Sequence, residues 1–342
     1  MIFKLFWILT LTLIINLFFA KIFAFLKFYD LPEKNKIHKK KIVFSGGISI
    51  IVSLTILKIT NLIDLKELEL IYKYSFIIFI IGFVDDKYKI SPFKKFLLLF
   101  VALIFIYHFS GLPLITFIGN YLPNGGNFGH EIAFILTLSG VFLIINSYNY
   151  SDGIDCNCIL LFFNSLLILF FFIKLTHGSS LNTDFFIYEL LYVTFSVAFI
   201  FLIFNRNFFF LPKIFLGDNG SLFLGFLSAN ILIYLSANKI LDPNLLIWVN
   251  SLIVFDFFSI TLIRFLNKKN IFKRDFNHIH LLIFRRKKNI FYTLILINII
   301  NFTFGVIGFI IFFNYGQLAS VMAYIVSFLV YTFFHKKFLN HN

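Results

Sequence analysis

Charge is what this chain has least of. Asp, Glu, Lys and Arg make up 13% of its 342 residues, about half the ~25% usual in a soluble globular domain. Acids are the scarcer sign, with 16 Asp and Glu against 30 Lys and Arg. Cysteine is nearly missing: Cys156 and Cys158 are the whole complement. Two thiols that close in sequence make poor disulfide geometry, and without further ligands they make no zinc site, so both read as reduced thiols at a helix start. No internal repeat and no stretch resembling a soluble domain is visible.

What fills the space is apolar. Hydrophobic residues are 60% of the chain and its mean hydropathy is +0.91, which excludes an ordinary soluble enzyme. The 54 Phe and 15 Tyr fit such a protein and otherwise reflect composition bias. Long apolar runs can cross ~30 Å of hydrocarbon as helix, and helix is required because lipid offers the backbone no hydrogen-bond partner. Eleven runs are read as spans: 2–26, 42–63, 73–84, 96–109, 131–145, 159–173, 185–204, 222–235, 245–265, 290–313 and 317–334. The first is longer than the core of a cleaved signal peptide, despite Ala20 and Ala24 near its end, and is read as a retained helix. The run 73–84 is the shortest.

The net charge of +14 would suggest nucleic acid in a soluble protein. Here its placement speaks of orientation, because most Lys and Arg fall in alternate loops, including six lysines between 27 and 41. The positive-inside rule then sets the N-terminus outside and the C-terminus inside, with no nucleic-acid partner. Residues 111–130, with the Asn124-Gly125-Gly126-Asn127 turn, predict a small outer hairpin. The expected fold is an all-α polytopic transmembrane bundle, a single integral-membrane domain over 1–342.

The inner loops carry the chemistry. Asp85 and Asp86 stand together after an apolar run, followed by Lys95. Adjacent carboxylates repel, so they favour a bound cation or a shared proton, and hard oxygens suit Mg²⁺. Asn149, Asp152 and Asp155 are spaced by three, which on a helix gives one face, with Gly153 as a turn within it. Gly217-Asp218-Asn219-Gly220-Ser221 follows Phe215, and Asp218 reads as a helix N-cap beside exposed N–H groups. Gly46-Gly47 opens a helix and permits close backbone approach. The last cluster holds Arg274, His278 and His280, read as phosphate contacts rather than a zinc site for want of a third ligand. Asp256 lies inside a span, where an acid is functional by default, with Arg264 as the alternative structural partner. Together these groups fit Mg²⁺-assisted phosphoryl transfer.

In this order, from His38 and Gly46-Gly47 through Asp85-Asp86, Lys95, Asn146-x-x-Asn149-x-x-Asp152-Gly153-x-Asp155 and Phe215-x-Gly217-Asp218-x-Gly220-Ser221 to His278-Ile279-His280, the motifs cover nearly the whole chain. The sequence resembles the polyprenyl-phosphate N-acetylhexosamine-1-phosphate transferases, glycosyltransferase family 4, and within them the bacterial undecaprenyl-phosphate N-acetylglucosamine-1-phosphate branch.

The resemblance implies transfer of a sugar-1-phosphate from a UDP-N-acetylhexosamine to undecaprenyl phosphate, with release of UMP. It implies Mg²⁺, or Mn²⁺ in its place, held by Asn149 and Asp218. It implies that Asp85 or Asp86 activates the lipid phosphate near Lys95, that Phe215 stacks on uracil with Asp152 and Asp155 in the nucleotide pocket, and that His38, Arg274, His278 and His280 bind substrate. A bacterial plasma-membrane location, a cytoplasmic site, contact with membrane lipid and an optional homodimer complete the expectation. The chain departs from the family pattern at Cys156, where Gly is usual, at Leu281, where a second consecutive His is usual, and in having no proline before Gly46. The short His-x-His pattern argues against the family's peptidoglycan-precursor enzyme, phospho-MurNAc-pentapeptide transferase. An ion-coupled transporter would place its ionisable groups at the bilayer midplane within paired broken helices; only Asp256 answers to that. A structural lipid-binding protein would not need carboxylates in most inner loops.

Overall fold

A computed structural model of the chain describes residues 2–32, 40–62, 69–178, 183–270 and 277–340. The helices are α1 (Ile2–Phe25), α2 (Gly46–Ile59), α3 (Glu69–Tyr88), α4 (Pro92–Phe109), α5 (His130–Ser151), α6 (Asn157–His177), α7 (Thr183–Asn205), α8 (Gly217–Ala237), α9 (Pro243–Leu246), α10 (Ser251–Leu266), α11 (Ile279–Lys287) and α12 (Ile290–Asn340). Each of the eleven apolar runs falls mainly on helix. The last two share α12, which breaks at Gly316 (φ 84°, ψ −174°), a conformation glycine adopts without a Cβ penalty. Among the described residues six helices, α1, α4, α5, α6, α8 and α12, are long and apolar enough to cross a membrane.

The outer faces explain why the chain is so apolar. Leu97, Val101 and Phe105 on α4 and Ile295, Ile299, Ile310, Leu329 and Phe333 on α12 are exposed. A water-soluble monomer rarely leaves so continuous an apolar surface uncovered. The interior is organised on α8, whose apolar window is 83% buried. Buried polar side chains bind the bundle together: Asn250 accepts from Tyr148 and Ser165 at 3.0 and 2.7 Å and donates to Ser228 at 2.9 Å. Such pairs join helices where apolar side chains gain little over lipid.

Three sequence expectations are corrected here. The short run 73–84 is the middle of a 20-residue helix, α3; its polar ends hid its length. The run 245–265 is two helices, α9 and α10, with Asn250 at the turn between them. The run 42–63 opens not on helix but on a strand. β1 (Tyr29–Asp30) pairs antiparallel with β2 (Ile42–Val43), and Val43 bridges Ile214 in parallel. The expected hairpin over 111–130 is present as a single antiparallel bridge, Phe117 to Asn127, closed by Phe128 N–H to Thr116 O at 2.8 Å.

Candidate active site

Glycine lets the backbones meet. Gly46 and Gly47 donate their N–H groups to the carbonyls of Phe215 and Leu216 at 2.8 and 2.9 Å. A Cβ on Gly47 would fall 2.4 Å from Gly220 N, and one on Gly82 would fall 2.5 Å from Asn219 Cα. α2 and α3 therefore press directly on the first turn of α8, and the contact carries the end of α3 to that turn.

Asp86 then caps α8. Its carboxylate accepts from Asp218 N and Asn219 N at 2.8 and 3.0 Å and from Asn219 Nδ2 at 2.5 Å. This corrects the expectation for Asp218, which lies inside the first turn of α8 instead of capping it. A carboxylate at the positive end of a helix is favourable, and here it comes from another helix. Asp218 is thereby freed to face the next cluster.

That cluster centres on Lys95, in the first turns of α4. The turn into α4 is set by Ser91, whose Oγ accepts from Lys94 N, and by Pro92 at the first helical position. Lys95 Nζ lies 2.5 Å from Asp218 Oδ2, 3.0 Å from Asp85 Oδ2 and 3.0 Å from Asn149 Oδ1. Asn149 donates to Asp218 Oδ1 and to Ser221 Oγ, each at 2.9 Å. Three helix ends, of α3, α5 and α8, thus point oxygens at one cation carried by α4. Burial, with Asp218 beside it and Lys95 opposing, pushes the Asp85 carboxyl up to about 7. Burial and the charge of Asp218 also raise Asp86, against the amides of Asn219 and Asp218.

The donor set suits a hard divalent ion. Two carboxylates and an amide oxygen surround the Lys95 ammonium, and Mg²⁺ prefers such oxygens, keeping waters and binding substrate phosphate as well. Among the described residues no group of three or more His, Cys, Asp or Glu forms a metal cage.

A second cluster lies on the far side of the α5 terminus. The equal spacing of Asn149, Asp152 and Asp155 misled, because α5 ends at Ser151 and Asp152 is its C-cap. Asp155, beyond the turn, pairs with Lys213 Nζ at 2.7 Å and Arg206 Nη1 at 3.5 Å. Lys213 Nζ also sits 5.4 Å from the Phe215 ring centroid. Cys156 has φ 69°, a left-handed conformation that favours glycine. Its Sγ lies 3.1 Å from Asn205 Oδ1, and Asn205 Nδ2 donates to Ile214 O at 2.7 Å, holding the backbone before Phe215. Both cysteines are free and buried.

The histidines form the third side. Tyr150, next to Asn149, stacks on His278 with centroids 5.1 Å apart, and His280 stacks on His278 at 5.8 Å. A Cβ on Gly153 would come 2.3 Å from His280 Nε2. That nitrogen and Asn157 Oδ1 are buried with no hydrogen-bond partner among the described residues, and both residues line one cavity with Asp256 and His278. Burial lowers the His280 imidazole to about 3, with the neighbouring His278 adding to it, so His280 is neutral. Asp256 does not need Arg264: it binds His278 Nδ1 at 2.6 Å and Ile279 N at 2.9 Å. His38 and Arg274 lie outside the described residues.

Sequence reasoning missed Arg206, Lys213, Tyr331 and His335. Lys213 could have been found, since two residues before Phe215 in extended chain it shares that residue's side. Arg206, Tyr331 and His335 reach the site through the fold alone.

A family model described as glycosyl transferase family 4 matches residues 69–236. A Bacillus subtilis (strain 168) protein named probable undecaprenyl-phosphate N-acetylglucosaminyl 1-phosphate transferase is 27% identical over 287 residues, 81% of this chain and 75% of the relative. A Yersinia pestis protein named undecaprenyl-phosphate alpha-N-acetylglucosaminyl 1-phosphate transferase is 22% identical over 270 residues, 73% of this chain and 68% of the relative. The matched segment runs from the first residue of α3 to the last turn of α8, so it spans the helices that gather around Lys95. Over residues 69–236 this chain is similar to glycosyl transferase family 4.

Proposed function

We propose that this multi-pass membrane protein transfers an N-acetylhexosamine-1-phosphate, GlcNAc-1-phosphate foremost, from its UDP-sugar to undecaprenyl phosphate and releases UMP. The observation that carries the reading is the meeting of Asp85, Lys95, Asn149 and Asp218 at one point from four helix ends. The relatives' names support undecaprenyl phosphate as acceptor and N-acetylglucosaminyl 1-phosphate as the group transferred. The reaction is the first membrane step of a cell-surface glycan such as O-antigen or teichoic acid.

A lipid phosphate oxygen attacks the phosphorus bearing the sugar, and the bond to the UMP oxygen breaks. Asp85 takes the phosphate's proton, a role suited to a carboxyl whose pKa lies near neutrality. Asp86 is committed to the amides of α8 and acts by holding Asp218 in place. Lys95 turns its ammonium from the protein carboxylates to the incoming phosphate. Asn149 Oδ1 and Asp218 would hold Mg²⁺, or Mn²⁺ in its place, which when bound neutralises the diphosphate and stabilises the leaving phosphate. Phe215 stacks on the uracil ring. Asp155 orients Lys213 and Arg206 toward the nucleotide, with Asp152 at the mouth of the same pocket. His278 and His280, with Arg274 and His38, bind the diphosphate and sugar.

The eleven helical segments serve as crossings with the N-terminus outside, and the site faces the cytoplasm of a bacterial plasma membrane, where UDP-sugars are made. The test is UMP release by the detergent-purified chain with undecaprenyl phosphate, Mg²⁺ and a panel of radiolabelled UDP-sugars. Release with UDP-GlcNAc or a close analogue, dependent on the lipid, is expected. No release with any UDP-amino sugar would overturn the reading.

A further inference from the structure

Asp256 is an acid on a helix that the Lys95 cluster does not use, and its surroundings are unusually complete. Its Oδ2 accepts from His278 Nδ1 at 2.6 Å. Its Oδ1 accepts from Ile279 N and from Tyr331 OH, each at 2.9 Å. Tyr331 stands on the C-terminal half of α12, beyond its break at Gly316. One turn later His335 bonds Ser259 Oγ through Nδ1 at 2.9 Å and the Asn277 carbonyl through Nε2 at 2.8 Å. Asn277 is the residue before His278. The last helix therefore fixes both the carboxylate that holds His278 and the backbone that delivers it.

We infer that Asp256, Tyr331 and His335 are positioning residues that hold His278 in one tautomer and one orientation toward the donor substrate, making the C-terminal half of α12 part of the catalytic unit. The chemistry is that of a carboxylate-oriented imidazole. A carboxylate cannot donate, so it requires hydrogen on Nδ1 and leaves Nε2, on the opposite edge, for ligand. Tyr150 and His280 sandwich the ring at 5.1 and 5.8 Å and remove its other freedom. The acid accepts three hydrogen bonds, the pattern expected of a buried carboxylate kept ionised by its partners. A carboxylate serving only to join helices would not need to grip the backbone N–H next to the histidine. These residues lie outside the matched segment 69–236, so the inference concerns a part of the site that the family model does not reach.

The inference rests on the proposed role of His278 in donor binding, and the test separates the two. Asp256→Asn keeps the shape but lets an amide donate, favouring the other tautomer. The variant is compared with wild type and Tyr331→Phe by steady-state kinetics, thermal unfolding in detergent, and ¹⁵N-histidine spectra in which His278→Gln assigns the resonance. Expected for Asp256→Asn are a loss of about 10–100-fold in kcat/KM, as for other partners that orient a functional histidine, carried by the KM for UDP-sugar. The KM for undecaprenyl phosphate stays unchanged, and the His278 nitrogens shift. Tyr331→Phe gives a smaller change in the same direction. An unaltered His278 spectrum, or equal changes in both KM values, would overturn the inference. If wild type releases no UMP from any UDP-sugar, the functional reading fails while the spectra still decide the tautomer.

Discussion

Asp85 and Asp86 are neighbours with different duties, and substitution separates them. Asp86→Asn removes the charge that caps α8, and loss of a cap costs about 1–2 kcal/mol, so its detergent-solubilised form should melt earlier. Asp85→Asn should fold normally and lose nearly all UMP release. Asp85 also predicts a pH effect. Its carboxyl, raised by burial to about 7, keeps in the folded state a proton that the unfolded chain loses near its ordinary value of about 4. The native state then binds more protons between those values, so stability falls as pH rises through that window and levels off above it. In metal-free buffer, thermal stability from pH 4.5 to 8 should fall more steeply in wild type than in Asp85→Asn, where the raised Asp86 remains; parallel curves would refute it. His280 contributes the opposite slope, but it does so in both proteins. At Cys156, with φ 69°, a β-branched side chain is strained. Cys156→Val should lower the melting temperature by more than Cys156→Gly, which relieves the backbone while giving up the thiol's contact with Asn205.

Among elements, the junction of α2, α3 and α8 sets the site. Gly82→Ala places a methyl 2.5 Å from backbone on α8, and overpacking of this kind costs about 1–3 kcal/mol. Both melting temperature and UMP release should fall. Gly140→Ala, whose Cβ would rest 3.6 Å from Ile115, should be neutral or stabilising because alanine favours helix. The sequence made part of this legible. Gly46-Gly47 announces close approach, and the chemistry of Asp85, Lys95, Asn149 and Asp218 could be read from residue type and order. What the sequence could not show is which carboxylate caps which helix. Capping is a local rule, so Asp218 was the natural candidate, while the cap that forms comes from Asp86, 132 positions away. The same locality made Asn149, Asp152 and Asp155 look like one helical face, since nothing in the spacing reveals that α5 stops at Ser151.

For the whole molecule, apolar runs were easily read because lipid demands long helix, and each of the eleven runs lies mainly on helix. The small sheet of 29–30 with 42–43 was not, since two-residue strands leave no alternation to detect. The Tyr331 and His335 contacts were hidden by distance, 75 and 76 positions from Asp256 and Ser259. Orientation can be measured with single cysteines introduced in intact bacteria, the native pair being buried. A membrane-impermeant maleimide should label Asn127→Cys and spare Lys94→Cys; the reverse would invert the topology and put the site outside.

The central claim is that Asn149 and Asp218 together hold the cation through which a diphosphate reacts. It is tested most directly by titrating Mg²⁺ against sugar-phosphate transfer in wild type, Asn149→Ala and Asp218→Asn. The account predicts no transfer in chelator, restoration by Mg²⁺ in wild type, and a requirement raised by at least about 10–100-fold in each variant. Full transfer in chelator, or an unchanged Mg²⁺ requirement in both variants, would contradict it.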